Sequence, residues 1–257
     1  MRIDKRFIAA GIAALVGSLP VFAIDGRQVM QNAYDVKEPK FSHSLVTMDL
    51  IDKDGTAESR IVEEWGKDEN DLKSALMVFH APSSIKNTRF LQIENQGRDD
   101  DKWIYLPALQ SVRRIAASEG DKSFMGTDAT YDDLSTRKVD RDNHELLGEE
   151  QVGSYDCYKV KSWAKDPADS QYAYRISWID KKTWVPVKAE MYDKREQLRK
   201  VLTVEKLENV KGYWIPMVDL LKNVQTGHST RLTITKIVVD APISARLFST
   251  NFLAQGR

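Results

Sequence analysis

Apolar residues recurring at every second position constrain this chain more than any other feature. Tyr172, Tyr174, Ile176 and Trp178 fall on one face of an extended segment whose other face carries Arg175 and Ser177. Val185, Val187, Ala189 and Met191 oppose Lys188, Glu190 and Tyr192 in the same way, and Asp180-Lys181-Lys182-Thr183 between the two runs reads as a turn. Successive side chains of a strand point to opposite sides, so the spacing predicts a hairpin with one dry and one wet face, which is antiparallel behaviour. Val46, Met48 and Leu50, then Ile61 and Trp65, then Leu91 and Ile93 carry the pattern through the first half, and further strands are expected at 199–207, 213–223 and 229–239. Strands at this spacing predict a meander, and nothing resembles the alternating βαβ units of a parallel sheet. Asp25 with Gln28 three residues later resembles a helix-capping pair. Val29, Met30, Ala33 and Tyr34 then recur at helical spacing, predicting a short amphipathic helix that ends before Pro39.

The first 23 residues say where such a sheet would work. Arg2, Lys5 and Arg6 precede an apolar stretch from Phe7 to Val16, Gly17, Ser18 and Pro20 break it, and Val21-Phe22-Ala23 provides an ending that signal peptidase reads. The stretch is short for a bilayer span of ~20 residues. An export leader cleaved after Ala23 is therefore expected, with a retained N-terminal anchor as the alternative, and the mature chain beginning at Ile24 is expected to be soluble outside the cytoplasm. No cysteine stands at the cleavage point to accept a lipid. The remaining residues carry 35 basic against 37 acidic side chains, a balance that offers no electrostatic attraction to nucleic acid or an anionic membrane. Cys157 has no partner for a disulfide, and its alternating neighbours place it in a half-buried strand.

Residues 107–136 depart from the period. Pro107, Gly120, Gly126 and many Asp, Ser and Thr residues surround isolated apolar ones, predicting a long connection with one or two helical turns. Connections of this length are uncommon unless functional, and the interleaved aromatics argue against disorder. The segment 110–134, with Phe124 and Met125 as its apolar contact, is expected to act as a mobile cover. Chemistry-bearing motifs are weak elsewhere. His43, His80, His144 and His228 have no metal-ligand spacing, Ser123 lacks a local base, and acidic runs such as Asp99-Asp100-Asp101 and Asp132-Asp133 read as solvated turns. Aromatic and Met residues on strands, among them Trp65, Phe79, Trp103, Tyr105, Tyr174, Trp178, Met191 and Trp214, form either an ordinary core or the lining of an apolar groove. Arg113 and Arg114 are adjacent on a strand, so at most one faces such a groove.

A resemblance sharpens this. Lys102-Trp103-Ile104-Tyr105-Leu106-Pro107-Ala108-Leu109, Val112-Arg113-Arg114-Ile115, Ser123-Phe124-Met125-Gly126-Thr127-Asp128 and Tyr131-Asp132-Asp133-Leu134 follow one another like the signature stretch of the bacterial outer membrane lipoprotein-sorting protein family, the LolA-like periplasmic carriers. Trp178-Ile179-Asp180, Val185-Pro186-Val187-Lys188 and Tyr192-Asp193 resemble that family's second recurrent region. The resemblance implies a mainly β fold: a strongly curved antiparallel sheet, an unclosed half-barrel with a short N-terminal helix and a helical or loop lid. It implies a single lipid- or lipoprotein-binding domain over 24–257 in the periplasm, without catalytic activity, metal or other cofactor. The expected groove lining is Trp103, Tyr105, Phe124, Met125, Tyr174, Trp178 and Met191, with Arg113 or Arg114 as a polar contact to ligand or partner. The cargo would be a lipid or an acylated protein, and an inner-membrane exporter of the resistance-nodulation-division (RND) type the partner of a monomeric carrier. An adaptor whose sheet is filled by its own side chains is the competing expectation, and a hydrolase of envelope lipid a third.

Overall fold

The computed structural model describes residues 24–256. The expected leader, residues 1–23, lies outside the described residues. A short helix α1 (Gly26–Tyr34) precedes thirteen strands: β1 (Phe41–Ile51), β2 (Ala57–Glu69), β3 (Leu72–Ala81), β4 (Arg89–Ile93), β5 (Asp101–Leu106), β6 (Ser111–Arg114), β7 (Asp142–Val152), β8 (Tyr155–Ala164), β9 (Tyr174–Asp180), β10 (Pro186–Tyr192), β11 (Leu198–Val210), β12 (Tyr213–Asn223) and β13 (Ser229–Val239); a helical turn and a half, α2 (Thr250–Gln255), follows. All strands belong to one antiparallel sheet that does not close, in the order β6-β5-β4-β3-β2-β1-β13-β12-β11-β10-β9-β8-β7.

Two meanders make this order. β1 to β6 step outward to one edge, β7 to β13 step inward from the other, and β1 pairs with β13 at the seam. The connection from β6 to β7 therefore joins the two outermost strands. It runs as a strap, residues 115–141, across the concave side. Within the strap Phe124 N–H donates to the Ala129 carbonyl, Tyr131 N–H to Lys122 and Asp132 N–H to Gly120, so it folds back on itself as a small ladder. The tip needs left-handed backbone at Met125 (φ 52°) and Gly126 (φ 79°).

Register carries one face through the seam: Met48 lies opposite Arg60 and Leu232, and Val46 opposite Val62 and Ile234. The apolar ones among these side chains, with Phe79, Phe90 and Ile104 from β3, β4 and β5, form a core that the strap completes with Ile115, Phe124 and Tyr131. Phe124 is 1% exposed. Its ring lies 4.9 Å from that of Phe90 and 5.7 Å from that of Tyr131. The strap thus lies as a lid over the concave side, as expected, and is at the same time part of the packed interior.

The convex side of β2 to β5 is dry as well. Leu76 and Leu91 pack with Trp65, Trp103 and Tyr105 beneath Phe248 and Leu253 of the C-terminal segment. Asp25 caps α1 by accepting the Gln28 N–H at 2.7 Å, as expected, and Val29 packs on Val160 and Ile179 of β8 and β9. α1 comes so close to β7 that a Cβ on Gly26 would lie 2.7 Å from the backbone of Glu145 and Leu146. Only glycine fits there. The outer edges are short or broken: β6 has four residues, and β7 shifts register between Leu146 and Gly148.

A strap that belongs to the core predicts that Phe124→Ala lowers the unfolding free energy by ~3–5 kcal/mol, read by urea denaturation. A loss under about 1 kcal/mol would mean that the strap is a dispensable cover.

Candidate functional site

The strap does not fill the half-barrel. Between it and the concave wall lies a cavity of about 1090 Å³, near the upper end of the ~300–1,000 Å³ typical of ligand pockets. Met48, Met77, Met191, Leu202, Leu221 and Leu232 form its sheet wall, and Phe124, Tyr131 and Leu134 its strap side. Unbranched methionines adapt to irregular apolar surfaces. Charged residues of both signs, Asp100, Lys102, Asp121, Arg137, Lys138 and Arg141 among them, ring the remainder.

Polar contacts hold the strap over this space. The Lys200 ammonium, 1% exposed, donates to Asp133 Oδ2 at 2.8 Å. Asp133 also accepts from the Tyr172 hydroxyl at 2.9 and 3.0 Å and from the Thr130 N–H at 3.0 Å. Burial works against its charge, but Lys200 and these donors outweigh burial and hold the carboxyl below the usual aspartate range. The same burial, reinforced by Asp133, pushes the Tyr172 hydroxyl up. Further along, Asp128 accepts from the Thr230 hydroxyl at 2.8 Å and meets His228 Nδ1 at 2.7 Å. Arg60 Nη1 on β2 donates to the Met125 carbonyl at 2.5 Å, and Gln92 Nε2 to that of Leu134 at 3.3 Å. Arg137 Nε reaches both Asp142 oxygens at 2.8 Å where the strap joins β7. Asp133 is therefore the opposite of the solvated turn residue its sequence context predicts.

Two further acids, on β2 and β12, stand in the sheet wall of the cavity. Burial raises the Glu64 carboxyl to about 7. Burial, with Glu205 adding repulsion, raises Asp219 to about 6, and Asp219 Oδ1 has no hydrogen-bond partner.

Of the expected groove residues, Phe124 and Met191 line the cavity and Met125 packs at the margin of the same core. Trp103 and Tyr105 do not: they alternate with Lys102, Ile104 and Leu106 and lie on the convex side under the C-terminal segment, where Arg89 stacks on Tyr105 at 4.1 Å. Tyr174 and Trp178 also face away from the cavity, on the side opposite Arg175 and Ser177. Tyr174 stacks on Tyr192 at 4.4 Å, and Trp178 packs with Cys157, Val187 and Val204 beneath the Lys159 and Lys188 ammoniums, 4.9 and 4.1 Å from its ring. Lysine stems and charges cover these rings outside, so they need no concave shelter.

Arg113 shares the face of Ile104, but both its contacts go to Glu119 in the strap at 3.0 Å, and that pairing holds the Glu119 carboxyl down at about 2. Arg114 faces the other way and pairs with Asp101 at 2.5 Å. Cys157 is buried in its strand, as read, and burial raises its thiol to about 11. No group of three His, Cys, Asp or Glu residues among the described residues has metal-holding geometry. The sequence reading missed Met77, Leu202, Leu221, Leu232, Glu64, Asp219 and Lys200. For the apolar ones a signal existed in the alternation of β3 and of β11 to β13. For the charged ones it lay in each standing on the same parity as apolar neighbours.

A family model described as that of an uncharacterized protein matches residues 71–255. No curated protein matches in sequence. Among solved structures, a DUF1329 family protein from Desulfovibrio piger aligns at 27% identity with a TM-score of 0.84, over 89% of this chain and 97% of its own. A domain from Vibrio parahaemolyticus described as an outer membrane lipoprotein-sorting protein matches with the same identity and TM-score over 90% and 98%. A LolA superfamily protein from Nitrosomonas europaea, at 16% identity and a TM-score of 0.68 over 90% and 100%, shares the fold.

Removing one partner of a buried ion pair strands the other, so Asp133→Ala is expected to cost ~3–5 kcal/mol in urea unfolding, while adding Lys200→Met should restore most of it. Equal losses in single and double variants would refute the pairing.

The raised Glu64 carboxyl makes a second prediction. Between its ordinary value of 4.5 and about 7 the folded protein keeps a proton that the unfolded chain has released, so stability falls as pH rises through that window. Glu64→Gln should therefore be more stabilising relative to wild type at pH 8 than at pH 5, by on the order of 1–2 kcal/mol in urea unfolding. An equal difference at both pH values would contradict it.

Proposed function

Because the chain belongs to the DUF1329 family, whose solved relative from Desulfovibrio piger wraps the same sheet, we infer that it is a binding or carrier protein for a lipidic cargo, without catalytic activity of its own. The observation that carries this reading is the cavity of about 1090 Å³, with Met and Leu side chains on its sheet wall, that the strap covers and the chain's own side chains leave unfilled. A self-filled adaptor would have no such space. Each buried methylene of an acyl chain contributes ~0.8 kcal/mol, so a chain lying along Met48, Leu232 and Leu221 supplies affinity without any polar clamp.

Catalysis has no comparable support. Ser123 donates its hydroxyl to the Thr127 carbonyl at 2.6 Å, no histidine lines the cavity among the described residues, and Glu64 and Asp219 stand on β2 and β12 with β1 and β13 between them. Residues 24–257 would act as one unit in the periplasm after a leader is cleaved behind Ala23. Lipoprotein or another lipid would be the cargo, handed to or from an envelope transporter of the RND type. The Vibrio relative, described as a lipoprotein-sorting domain, favours this assignment.

Filling the cavity should abolish binding without unfolding the protein. Leu221→Trp is expected to weaken a fluorescent fatty-acyl probe at least 10-fold while shifting the melting temperature by only a few degrees, because the indole enters empty space. Trp103→Ala, on the convex side, should lower stability and leave probe affinity unchanged. Unaltered affinity in Leu221→Trp would overturn the carrier reading.

A further inference from the structure

Two carboxylates inside the cavity are left without protein partners. Glu64 on β2 lies opposite Ser44 of β1 and Met77 of β3, and Asp219 on β12 lies opposite Leu232 of β13 and Val204 of β11. Both face the cavity, and neither accepts a hydrogen bond nor pairs with a cation among the described residues. The molecule treats other buried acids differently: Asp133 has Lys200, Asp142 has Arg137, and Asp128 has Thr230 and His228. A carboxyl in an apolar trough is costly, and leucine or glutamine in the same place would avoid the cost. Unsatisfied acceptors of this kind occur where a ligand completes them.

The cations lining the cavity are engaged elsewhere. Arg98 pairs with Asp101, Lys102 with Asp132, Arg137 with Asp142, Lys138 with Glu94 and Arg141 with Asp169, and Arg175 lies 5.0 Å over the Tyr172 ring. Glu205 is the charged group that bears on Asp219, and it is negative. An anionic head group drawn into this interior would meet like charge and find acceptors where it needs donors. A head group rich in N–H or O–H would satisfy whichever of the two carboxyls it reached.

Resting on the reading of the cavity as a lipid site, we propose that its ligand is an amphiphile whose polar group donates hydrogen bonds, an ammonium or a polyol rather than an anion, and that Glu64 or Asp219, which stand on β2 and β12 with two strands between them, accepts them inside the cavity. The apolar chain then runs along the Met and Leu wall while the acid at its polar end selects the head group. This makes the cavity a charge filter as well as a greasy slot.

Three probes with the same twelve-carbon acyl or alkyl tail separate the possibilities: dodecylamine, monolauroylglycerol and dodecanoate, titrated below their micellar concentrations by calorimetry at pH 8. Dodecylamine or monolauroylglycerol is expected to bind at least 10-fold more tightly than dodecanoate, and whichever does so identifies the ammonium or the polyol as the recognised donor. The double variant Glu64→Gln/Asp219→Asn, nearly isosteric and checked by its melting curve, should reduce that preference to under 3-fold. Wild-type protein at pH 5, below the raised values of both carboxyls, should lose at least 5-fold in affinity for dodecylamine if the ammonium is the donor, a readout that needs no variant. Tightest binding by dodecanoate, or a preference unchanged in the double variant, overturns this proposal and leaves the carrier reading standing. Binding of none of the three overturns both.

Discussion

A curved sheet whose two outermost strands are consecutive in the chain has one place to put the link between them. β6 and β7 sit at opposite ends of thirteen strands, so residues 115–141 must span the opening. Everything distinctive about the molecule follows from that crossing. The strap supplies Phe124 and Tyr131 to the core, roofs the cavity, and brings its own acids onto bases of distant strands. Antiparallel meanders by themselves would have produced an open trough with a wet interior.

The two halves of the sheet are stabilised by different means. β2 to β5 are covered on both faces, by the strap inside and by the C-terminal segment outside, which is why β4 buries Arg89, Phe90, Leu91 and Gln92 in succession. On the other half α1 covers the ends of β8 and β9, and Lys159 and Lys188 shield Trp178. Apolar packing under the strap is thus concentrated on the β1 to β5 side. Above the β11 wall the strap is fastened instead by charge and hydrogen bonds, with Lys200 and Asp133 at the centre. Directional contacts can hold a span in place without filling the space beneath it, whereas a hydrophobic fastening would have collapsed onto the wall.

Much of this was legible from spacing alone. The strands expected at 213–223 and 229–239 coincide with β12 and β13, and Asp25 caps the helix where the pattern places it. Alternation, however, reports that two faces exist without saying which is concave. Trp103 and Trp178 have the bulk expected of an interior and lie outside it, because a short C-terminal helix and lysine side chains supply covers that no local pattern announces. Asp133 illustrates a different limit. It follows Asp132 in a polar stretch, and its partner Lys200 is 67 residues away, so only the fold reveals that one of the two is buried in an ion pair.

The unclosed edges have a consequence for how the molecule lives among its own copies. An open sheet offers unpaired N–H and C=O groups to any passing strand, and thirteen strands without closure would ordinarily invite stacking into fibrils. Here one border is only four residues long. The other bends where its register slips between Leu146 and Gly148, and it carries Glu145, Glu149 and Glu150, so a second copy laid alongside would meet a kinked and negatively charged ribbon. Those features leave a gap in the wall, through which the cavity can communicate with its surroundings, while making both borders poor templates for another strand.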